Sequence, residues 1–299
     1  MDIEDVRKFL VVAKYENLHL ASQHLALTTG ALSKVIKRLE NKLQTQLFDR
    51  VGRHIHLNLH GEKFQTYATH IVYEADQAIS EFRGAAALSN VSIAGPSLLL
   101  KRYLPLLLQQ FKNSNFHFQT DACWEGKALE NVSKGHSDLA IVTSFAMSEH
   151  DTNETLNSMR LGKTKYVVVA AEAHPLFNAF PTGKVTINAL KTYGFACPDV
   201  SPFCGIKRGV GSDGWRDNEA PRTIRYRCND FSTLLAIVES GLALAYVPDF
   251  VATKYNLKPI QVTDYKVEYE EAFELVYKPS IAFGWLNRFV DELARSISN

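Results

Sequence analysis

This chain of 299 residues has few cysteines, a net charge close to zero and no long apolar runs. The four cysteines, Cys123, Cys197, Cys204 and Cys228, form no CxxC pair and are too few for a disulfide framework, so we expect reduced thiols. The sequence has no apolar run of the roughly 18 or more residues that a membrane span needs. Its first residues, MDIEDVRKF, are acidic where a signal peptide has a basic segment followed by an apolar one. We therefore expect a cytoplasmic protein without a membrane partner.

Length and composition favour a globular protein with more than one domain. The chain exceeds the usual size of a single domain, and it is 46% hydrophobic and 22% charged. Its formal net charge of +1 by itself argues against a nucleic-acid partner. Between Lys34 and Arg53, however, six basic and two acidic residues give a net charge of +4 within 20 residues. A local basic segment in a neutral protein is typical of a DNA-binding module joined to another domain.

The first 60 residues have the apolar spacing of three short helices. The apolar residues that repeat at helical spacing are Val6, Phe9, Leu10 and Ala13, then Leu18, Ala21 and Leu25, then Leu32, Ile36, Leu39 and Leu43. Thr28 is the predicted N-cap of the third helix, whose polar face is cationic. After this helix, Ile55, Leu57 and Leu59 alternate with polar residues, which predicts a wing-like hairpin.

A heptad-like apolar pattern follows the predicted hairpin. Its members are spaced four and three residues apart: Phe64, Ala68, Ile71, Ala75, Ala78 and Phe82. This spacing predicts a linker helix at about 61–88 that pairs with the same helix of a second copy. Packing of these residues against the helix's own domain is the alternative that the pattern leaves open.

Strands and helices alternate from about residue 91 onward. The predicted strands are residues 91–95, 116–122, 138–144, 165–171, 222–228, 242–248 and 271–278, and the predicted helices include 98–111, 231–239 and 285–297. The alternation predicts a largely parallel α/β architecture with two lobes. We place lobe 1 at about 91–163 and 267–299, and lobe 2 at about 164–266.

Several motifs resemble those of the LysR-type transcriptional regulators. In the N-terminal part the resemblance rests on Ala21, Leu25, Ala31, Leu32, Ser33, Lys34, Ile36, Leu39, Glu40, Leu43, Leu47, Phe48, Arg50, Arg53, Leu57 and Gly61. Farther along, GHSDLAI at 135–141 and NDFSTLLAIVESGLALAYVPDFV at 229–251 resemble the effector domain of that family. The resemblance implies an α/β fold class: an N-terminal winged helix-turn-helix at 1–60, a linker helix at 61–88, and a two-lobed, type 2 periplasmic-binding-protein-like domain at 91–299.

The resemblance also implies a function and partners. It implies a ligand-responsive regulator that binds double-stranded operator DNA and a small-molecule effector, without enzymatic activity, cofactor or metal. It further implies a homodimer through the linker helix, a homotetramer through additional contacts, and contact with RNA polymerase if the protein is an activator.

The predicted DNA contacts follow from how a helix enters the major groove. Its first residues face base edges, and its flanking cations face phosphates. The predicted contact residues are Thr28, Thr29, Gly30, Ser33, Lys34, Lys37, Arg38, Arg50 and Arg53. Members of the family commonly have Ser-Gln-Pro where this chain has Thr28-Thr29-Gly30, so an amide contact to a base is missing. We therefore expect the wing and DNA shape to contribute more to site preference.

The predicted effector site lies between the lobes. Gly95-Pro96-Ser97 joins a strand to a helix, where free amides and the helix dipole favour a small anion, and Lys101 and Arg102 follow. A simple helix cap accounts for Ser97 equally well. The resemblance implies effector contacts from Ser97, Thr143, Ser144, Phe203, Cys204 and Pro248.

Three other sequence features suggest different chemistry. Cys197 and Cys204 leave open a thiol-based redox-sensing regulator. The GxGxxG match over 209–214 lacks the strand before it and the helix after it that a dinucleotide site requires, so we predict a loop. The three histidines of the hairpin region, His54, His56 and His60, have no fourth metal ligand nearby, so we predict a solvated or DNA-facing wing.

Two rival classes of protein also remain open. One is a soluble solute-binding protein with a helical N-terminal extension. The other is an enzyme that uses Cys197 or Cys204 as its nucleophile, which needs a histidine base such as His136 or His174 close to the thiol.

Overall fold

Buried apolar residues form an N-terminal core and a larger C-terminal core with a smaller cluster beside it. The computed structural model describes residues 1–51, 54–83, 89–109, 116–149, 156–266, 269–278 and 285–298. Among the described helices, none combines the length and the apolarity that a membrane crossing requires.

Three helices, a hairpin and one long helix build the N-terminal part. Their bounds are α1 Ile3–Tyr15, α2 Leu18–His24, α3 Thr29–Leu43, β1 Phe48–Val51, β2 His54–Leu57 and α4 Leu59–Arg83. The side chains of Asp2, Asn17 and Thr28 cap α1, α2 and α3 by accepting hydrogen bonds from amides of the first turn. The three predicted helices, the Thr28 cap and the hairpin are confirmed.

Phe9 of α1 is the centre of the N-terminal core. It is fully buried, and its ring centroid lies 5.5 Å from that of Phe48 and 4.8 Å from that of Phe64. Phe64 and Ala68 of α4 are buried in this same core. The predicted dimer seam is therefore wrong at these two positions, because α4 begins directly after the hairpin and its first turns close the core of its own domain.

The C-terminal part contains ten strands and eight helices within the described ranges. Their bounds are β3 Ser89–Gly95, α5 Ser97–Gln109, β4 Phe116–Ala122, α6 Glu125–Ser133, β5 Leu139–Thr143, α7 Ser144–Ser148, β6 Asn157–Ala170, α8 Leu176–Ala179, β7 Lys184–Val185, α9 Ile187–Leu190, β8 Gly194–Pro198, β9 Thr223–Cys228, α10 Phe231–Glu239, β10 Ala245–Pro248, α11 Asp249–Lys254, β11 Lys258–Val262, β12 Glu270–Tyr277 and α12 Trp285–Ser298.

One long strand, β6, belongs to two groups of strands. Its residues 157–165 pair with β12, which continues the order β4-β3-β5-β12-β6, whereas its residues 166–170 pair with β10 and β11. Strand β7 lies beyond β11, and the β8-β9 pair is joined to this second group by a bridge between Phe195 and Leu244. We call the first group lobe 1 and the second group lobe 2.

The strand directions differ from the largely parallel sheet that the alternation predicted. β12 is antiparallel to β5 and β6, and β10 and β11 are antiparallel to β6. For β6 and β12 the reason is that the chain passes from lobe 1 to lobe 2 in β6 and returns in β12. Two adjacent strands that cross in opposite senses pair without the crossover helix that parallel neighbours require.

Gly61 gives a test of the packing between α4 and the hairpin. A Cβ at this position would collide with the carbonyl oxygen of Leu47, which also accepts a hydrogen bond from the Asn58 N–H at 3.1 Å. We expect Gly61→Ala to lower the free energy of unfolding by about 1–3 kcal/mol through overpacking. Urea denaturation of the full-length chain measures this change.

Gly30→Ala is the matched control for this experiment. Gly30 is also helical, but nothing lies within 4 Å of the point where an alanine Cβ would be placed. Alanine there should leave stability unchanged or raise it slightly, because it restricts the unfolded chain and favours helix. Equal midpoints for the two variants would contradict the close approach of α4 to Leu47.

Candidate DNA interface and ligand cleft

The exposed side of α3 carries most of the residues predicted to contact DNA. Leu32, Ile36 and Leu39 face the N-terminal core, which turns the opposite face of the helix to solvent. The exposed members of the predicted set are Thr28, Thr29, Gly30, Lys34, Lys37 and Arg38, and Ser33 is half-buried. Arg53 and the side chain of Arg50 lie outside the described residues.

Lys34 and Lys37 present uncompensated charge on this face. Within the described ranges, neither lysine forms an ion pair with a carboxylate. An exposed cation without a protein counter-charge is available to a phosphate. These two lysines are therefore the strongest candidates for contacts with a DNA backbone.

Arg38 lies in a different environment from the two lysines. Its Nε donates to Oδ2 of Asp5 at 2.7 Å, and its Nη2 donates to Oδ1 of the same carboxylate. Asp5 is only 3% exposed, whereas the Arg38 side chain remains 61% exposed. The hydrogen bond from Arg38 lowers the pKa of Asp5, because it favours the charged carboxylate. Arg38 thus joins α3 to α1, and its predicted contact with DNA stays a prediction.

Two carboxylates, Glu16 and Glu40, position the hairpin through contacts that were not predicted from the sequence. Glu16, at the end of α1, accepts hydrogen bonds from the Leu57 N–H at 3.1 Å and from His56 Nδ1 at 3.0 Å. Burial opposes ionisation of Glu16, but these hydrogen bonds outweigh it and lower its pKa. Glu40 of α3 accepts from the Leu47 N–H at 2.9 Å. The hairpin is therefore held at both of its ends by helix carboxylates.

A second candidate site is a cavity of about 290 Å³ between the lobes, which we call the interlobe cavity. Lobe 1 contributes Thr143 at the end of β5, Glu125 at the start of α6 and Glu271 on β12. Lobe 2 contributes Tyr166 of β6 and the loop at 201–215. The site therefore depends on chain segments that are far apart in sequence.

The structure brings three of the six predicted effector contacts to this cavity. Thr143, Phe203 and Cys204 are among its lining residues, whereas Ser97, Ser144 and Pro248 are not. Ser97 is exposed at the start of α5, and the hydroxyl of Ser144 donates to Glu274 Oε1 at 2.7 Å. The role of these six residues in binding an effector stays a prediction.

The charged residues of the cavity were not among the residues predicted from the sequence. Glu125 and Glu271 are buried in its wall, and the cation Arg208 lines the same cavity. Burial raises the pKa of both glutamates. This lining does not support the predicted preference for a small anion. No spacing in the sequence could have revealed the pair, because its members are brought together only by the sheet.

Cys204 lines the interlobe cavity, whereas Cys197 does not. All four cysteines are free. Cys197 is fully buried in β8, where burial and the charge of Asp213 raise its pKa, so its reactive thiolate form is disfavoured. Cys204 is half-buried in the cavity wall. The redox alternative therefore gains no support from the structure.

Neither candidate base of the enzyme alternative lines the interlobe cavity. The Nδ1 atom of His174 accepts a hydrogen bond from the Leu176 N–H at 3.1 Å. His136 lies instead in a separate cavity with Lys14 and Lys134, and burial lowers its pKa to about 4. The segment 209–214 is a loop in which Gly209 and Gly214 have positive φ, as the missing flanking elements predicted.

Two family models match most of the chain. The model described as bacterial regulatory helix-turn-helix protein, lysR family, matches residues 3–62, and that of the LysR substrate binding domain matches residues 84–293. The chain belongs to the LysR family. It is a ligand-responsive, DNA-binding transcriptional regulator, and the predicted combination of a helix-turn-helix with an α/β substrate-binding domain is confirmed.

Three proteins illustrate how similar this chain is to known proteins. The transcriptional regulator DgdR of Burkholderia cepacia is 29% identical over 145 residues, which is 48% of this chain and only about half (49%) of DgdR. The regulator YybE of Bacillus subtilis (strain 168) is 23% identical over 305 residues, covering 99% of this chain and 96% of YybE. The crystal structure of ArgP from Mycobacterium tuberculosis has a TM-score of 0.65 at 14% identity, covers 100% and 98% of the two chains, and shows the shared fold.

Asp5→Asn tests the connection between α1 and α3 in this LysR-family protein. The pKa of folded Asp5 lies below its ordinary value of 3.8, so the ion pair stabilises the fold above that pH and is lost as the pH falls through the lowered pKa. At pH 7 we expect the free energy of unfolding of the variant to be about 1 kcal/mol lower than that of the wild type. The loss is this small because Arg38 is largely exposed to solvent. The difference should shrink below pH 3.8.

Glu4→Gln is the matched control for this measurement. Glu4 is an exposed carboxylate of the same helix, and its partner Arg7 is 3.2 Å away. Such a surface pair contributes little, so we expect a change below about 0.5 kcal/mol. Urea denaturation from pH 7 to pH 3 compares both variants with the wild type. A penalty for Asp5→Asn that does not vary with pH would contradict the ion-pair explanation.

Proposed function

We propose that α3 and the hairpin bind double-stranded operator DNA, and that a small effector in the interlobe cavity alters this binding. The observation that carries the proposal is the pair of exposed, uncompensated lysines, Lys34 and Lys37, on the face of α3 opposite its buried residues. Since bacterial DNA lies in the cytoplasm, the proposal also places the protein there. Contact with RNA polymerase follows if the protein acts as an activator.

The start of α3 is shaped for a close approach to DNA. Nothing lies within 4 Å of the position that a Cβ of Gly30 would occupy, so the backbone there is open. The hydroxyls of Thr29 and Ser33 lie on the same first turns, but a hydroxyl distinguishes bases less well than a bidentate amide does. We therefore assign affinity mainly to the lysines, and site preference mainly to the hairpin and to DNA shape.

Lys37→Ala tests the DNA-binding role of α3. The loss of a phosphate contact should weaken binding by about three- to tenfold and reduce the slope of log K against log salt by about 1 for each contact removed. Lys184→Ala, an equal change of charge on β7 of lobe 2, is the control and should change neither quantity. Fluorescence anisotropy with a duplex of arbitrary sequence is sufficient, because the phosphate contribution does not depend on sequence.

This titration tests whether α3 faces the DNA backbone. If Lys37→Ala and Lys184→Ala bind DNA with the same affinity and the same salt slope as the wild type, α3 does not face the DNA backbone.

We also propose a homodimer through the later turns of α4 and a tetramer through further contacts of the C-terminal domains. Phe64, Ala68 and Val72 pack against the N-terminal core, but Ile71 and Ala75 are half-buried and Ile79 is 42% exposed. Ile71, Ala75 and Ile79 follow one another every four residues, which places them along one side of the helix. Apolar residues repeated along one face of a helix are typical of a helix that pairs with another. Ala78 and Phe82 lie outside the described side chains.

Ile79→Asp tests the dimer without disturbing the core. Because Ile79 is exposed in the single chain, the variant should fold, but a charge in a helix–helix seam should weaken the dimer at least tenfold. His60→Asp, at an exposed position of the same helix, is the control. Light scattering over a dilution series measures the oligomeric state. A monomeric wild type at micromolar concentration, or an unaffected Ile79→Asp dimer, would exclude this seam.

A further inference from the structure

Two buried glutamates line the interlobe cavity without forming an ion pair within the described ranges. Glu125 is 3% exposed, and its Oε1 accepts from the Thr143 N–H at 2.6 Å. Glu271 is 9% exposed, and its Oε2 accepts from the Tyr269 hydroxyl at 2.6 Å. Throughout the part of the chain that the structure describes, neither carboxylate forms an ion pair. A buried carboxylate without a cation is costly, so the cavity is suited to a ligand that supplies one.

A third carboxylate of the same wall, Asp213, differs from the two glutamates because it forms a buried ion pair. Asp213 also lines the cavity, but Arg222 donates to both of its oxygens at 2.7 and 2.8 Å. Both side chains of this pair are almost completely buried. The fold therefore neutralises the carboxylate that it uses for its own stability, whereas it leaves Glu125 and Glu271 without such a partner.

The remaining wall is suited to a compact organic cation. Aromatic rings of Phe145, Tyr166, Phe203, Trp215 and Tyr269 line the cavity, and such rings attract cations at their faces. The guanidinium of Arg208 lies 4.9 Å from the ring centroid of Phe145 and is exposed. Burial raises the pKa of both glutamates, and the charge of Arg208 offsets only part of this effect. Arg208 forms no hydrogen bond with either glutamate among the described residues.

We propose that the interlobe cavity binds a small molecule with a positively charged amine, which Glu125 and Glu271 bind as counter-charges within the aromatic wall. This inference rests on the proposed function of the cavity as the effector site. The volume of about 290 Å³ is small for a ligand pocket, which suits a compact ligand. The expected ligand class is therefore a small primary or secondary amine, and Arg208 can contact a polar or anionic group at its other end.

The first experiment needs no knowledge of the natural ligand. Glu125→Gln and Glu271→Gln keep the acceptor oxygen for Thr143 and Tyr269 but remove a buried carboxylate that forms no ion pair with any described residue. We expect each variant to melt at or above the temperature of the wild type at pH 8. Asp213→Asn, which breaks a buried pair, should melt at a lower temperature. If the two glutamine variants melt below the wild type as Asp213→Asn does, the glutamates are structural and the proposal fails.

The second experiment uses series of probes with similar apolar groups and a cationic, a neutral or an anionic polar group. Phenethylamine, 2-phenylethanol and 3-phenylpropionate form one series, and hexylamine, hexanol and hexanoate form the other. Calorimetric titration of the full chain should show at least tenfold tighter binding of an amine than of its neutral and anionic counterparts. Glu125→Gln combined with Glu271→Gln should abolish this preference. Glu274→Gln should retain it, because Glu274 lies on the same strand but pairs with Arg160 and Ser144 outside the cavity.

The outcomes separate the charge assignment from the effector role. Preference for the carboxylates, equal binding within a series, or absence of any amine binding overturns the charge assignment. An anion that binds here and changes DNA affinity overturns it as well, but leaves the proposed effector role intact. An amine that binds with the stated preference and leaves DNA affinity unchanged supports the charge assignment and contradicts the effector role.

Discussion

The antiparallel pairing of β6 with β12 holds the C-terminal region together, because these are the two strands in which the chain crosses between the lobes. Up to Lys165, β6 pairs with β12, and after it β6 pairs with β10 and β11. Tyr166 therefore begins the part of the strand that belongs to lobe 2. On the opposite strand, Glu270 pairs with Lys165, which places Glu271 at the same level. The cavity between the lobes therefore lies at the crossing itself. A ligand there contacts both lobes, and it can shift their arrangement only by binding one arrangement more tightly than another.

Charge pairing separates residues that support the fold from residues that are free to bind a partner. Arg38 with Asp5, and Arg222 with Asp213, are hydrogen-bonded pairs that join separate segments of the chain. Lys34 and Lys37 on α3 and the two cavity glutamates have no such partner among the described residues. The first group reduces the cost of burying charge. The second group consists of the residues that we propose to bind phosphate on one surface and a cation in the cavity.

Secondary structure followed from the sequence wherever one local pattern was strong. The apolar spacing of α1 to α3, the Thr28 cap, and the bounds of β4 and α10 were all predictable, because each depends on residues a few positions apart. Strand β8, strand β11 and the first half of β6 were not predicted. β8 is short and lies between Gly194 and Pro198, β11 contains Pro259, and their strand conformation depends on neighbours contributed by distant parts of the chain.

The sequence by itself determined the two-part organisation, the basic face of α3 and the family to which the chain belongs, because these depend on local patterns and on motifs. Only the tertiary structure decided which charges are neutralised and which meet at a site. Asp5 lies 33 positions from Arg38, and Glu125 lies far along the chain from Glu271, so no local pattern connects either pair. The same holds for Phe64 and Ala68, whose heptad spacing suits a partner helix as well as their own core. Periodicity specifies which face of a helix is apolar, but the surface that covers this face is fixed by the packing of the whole chain.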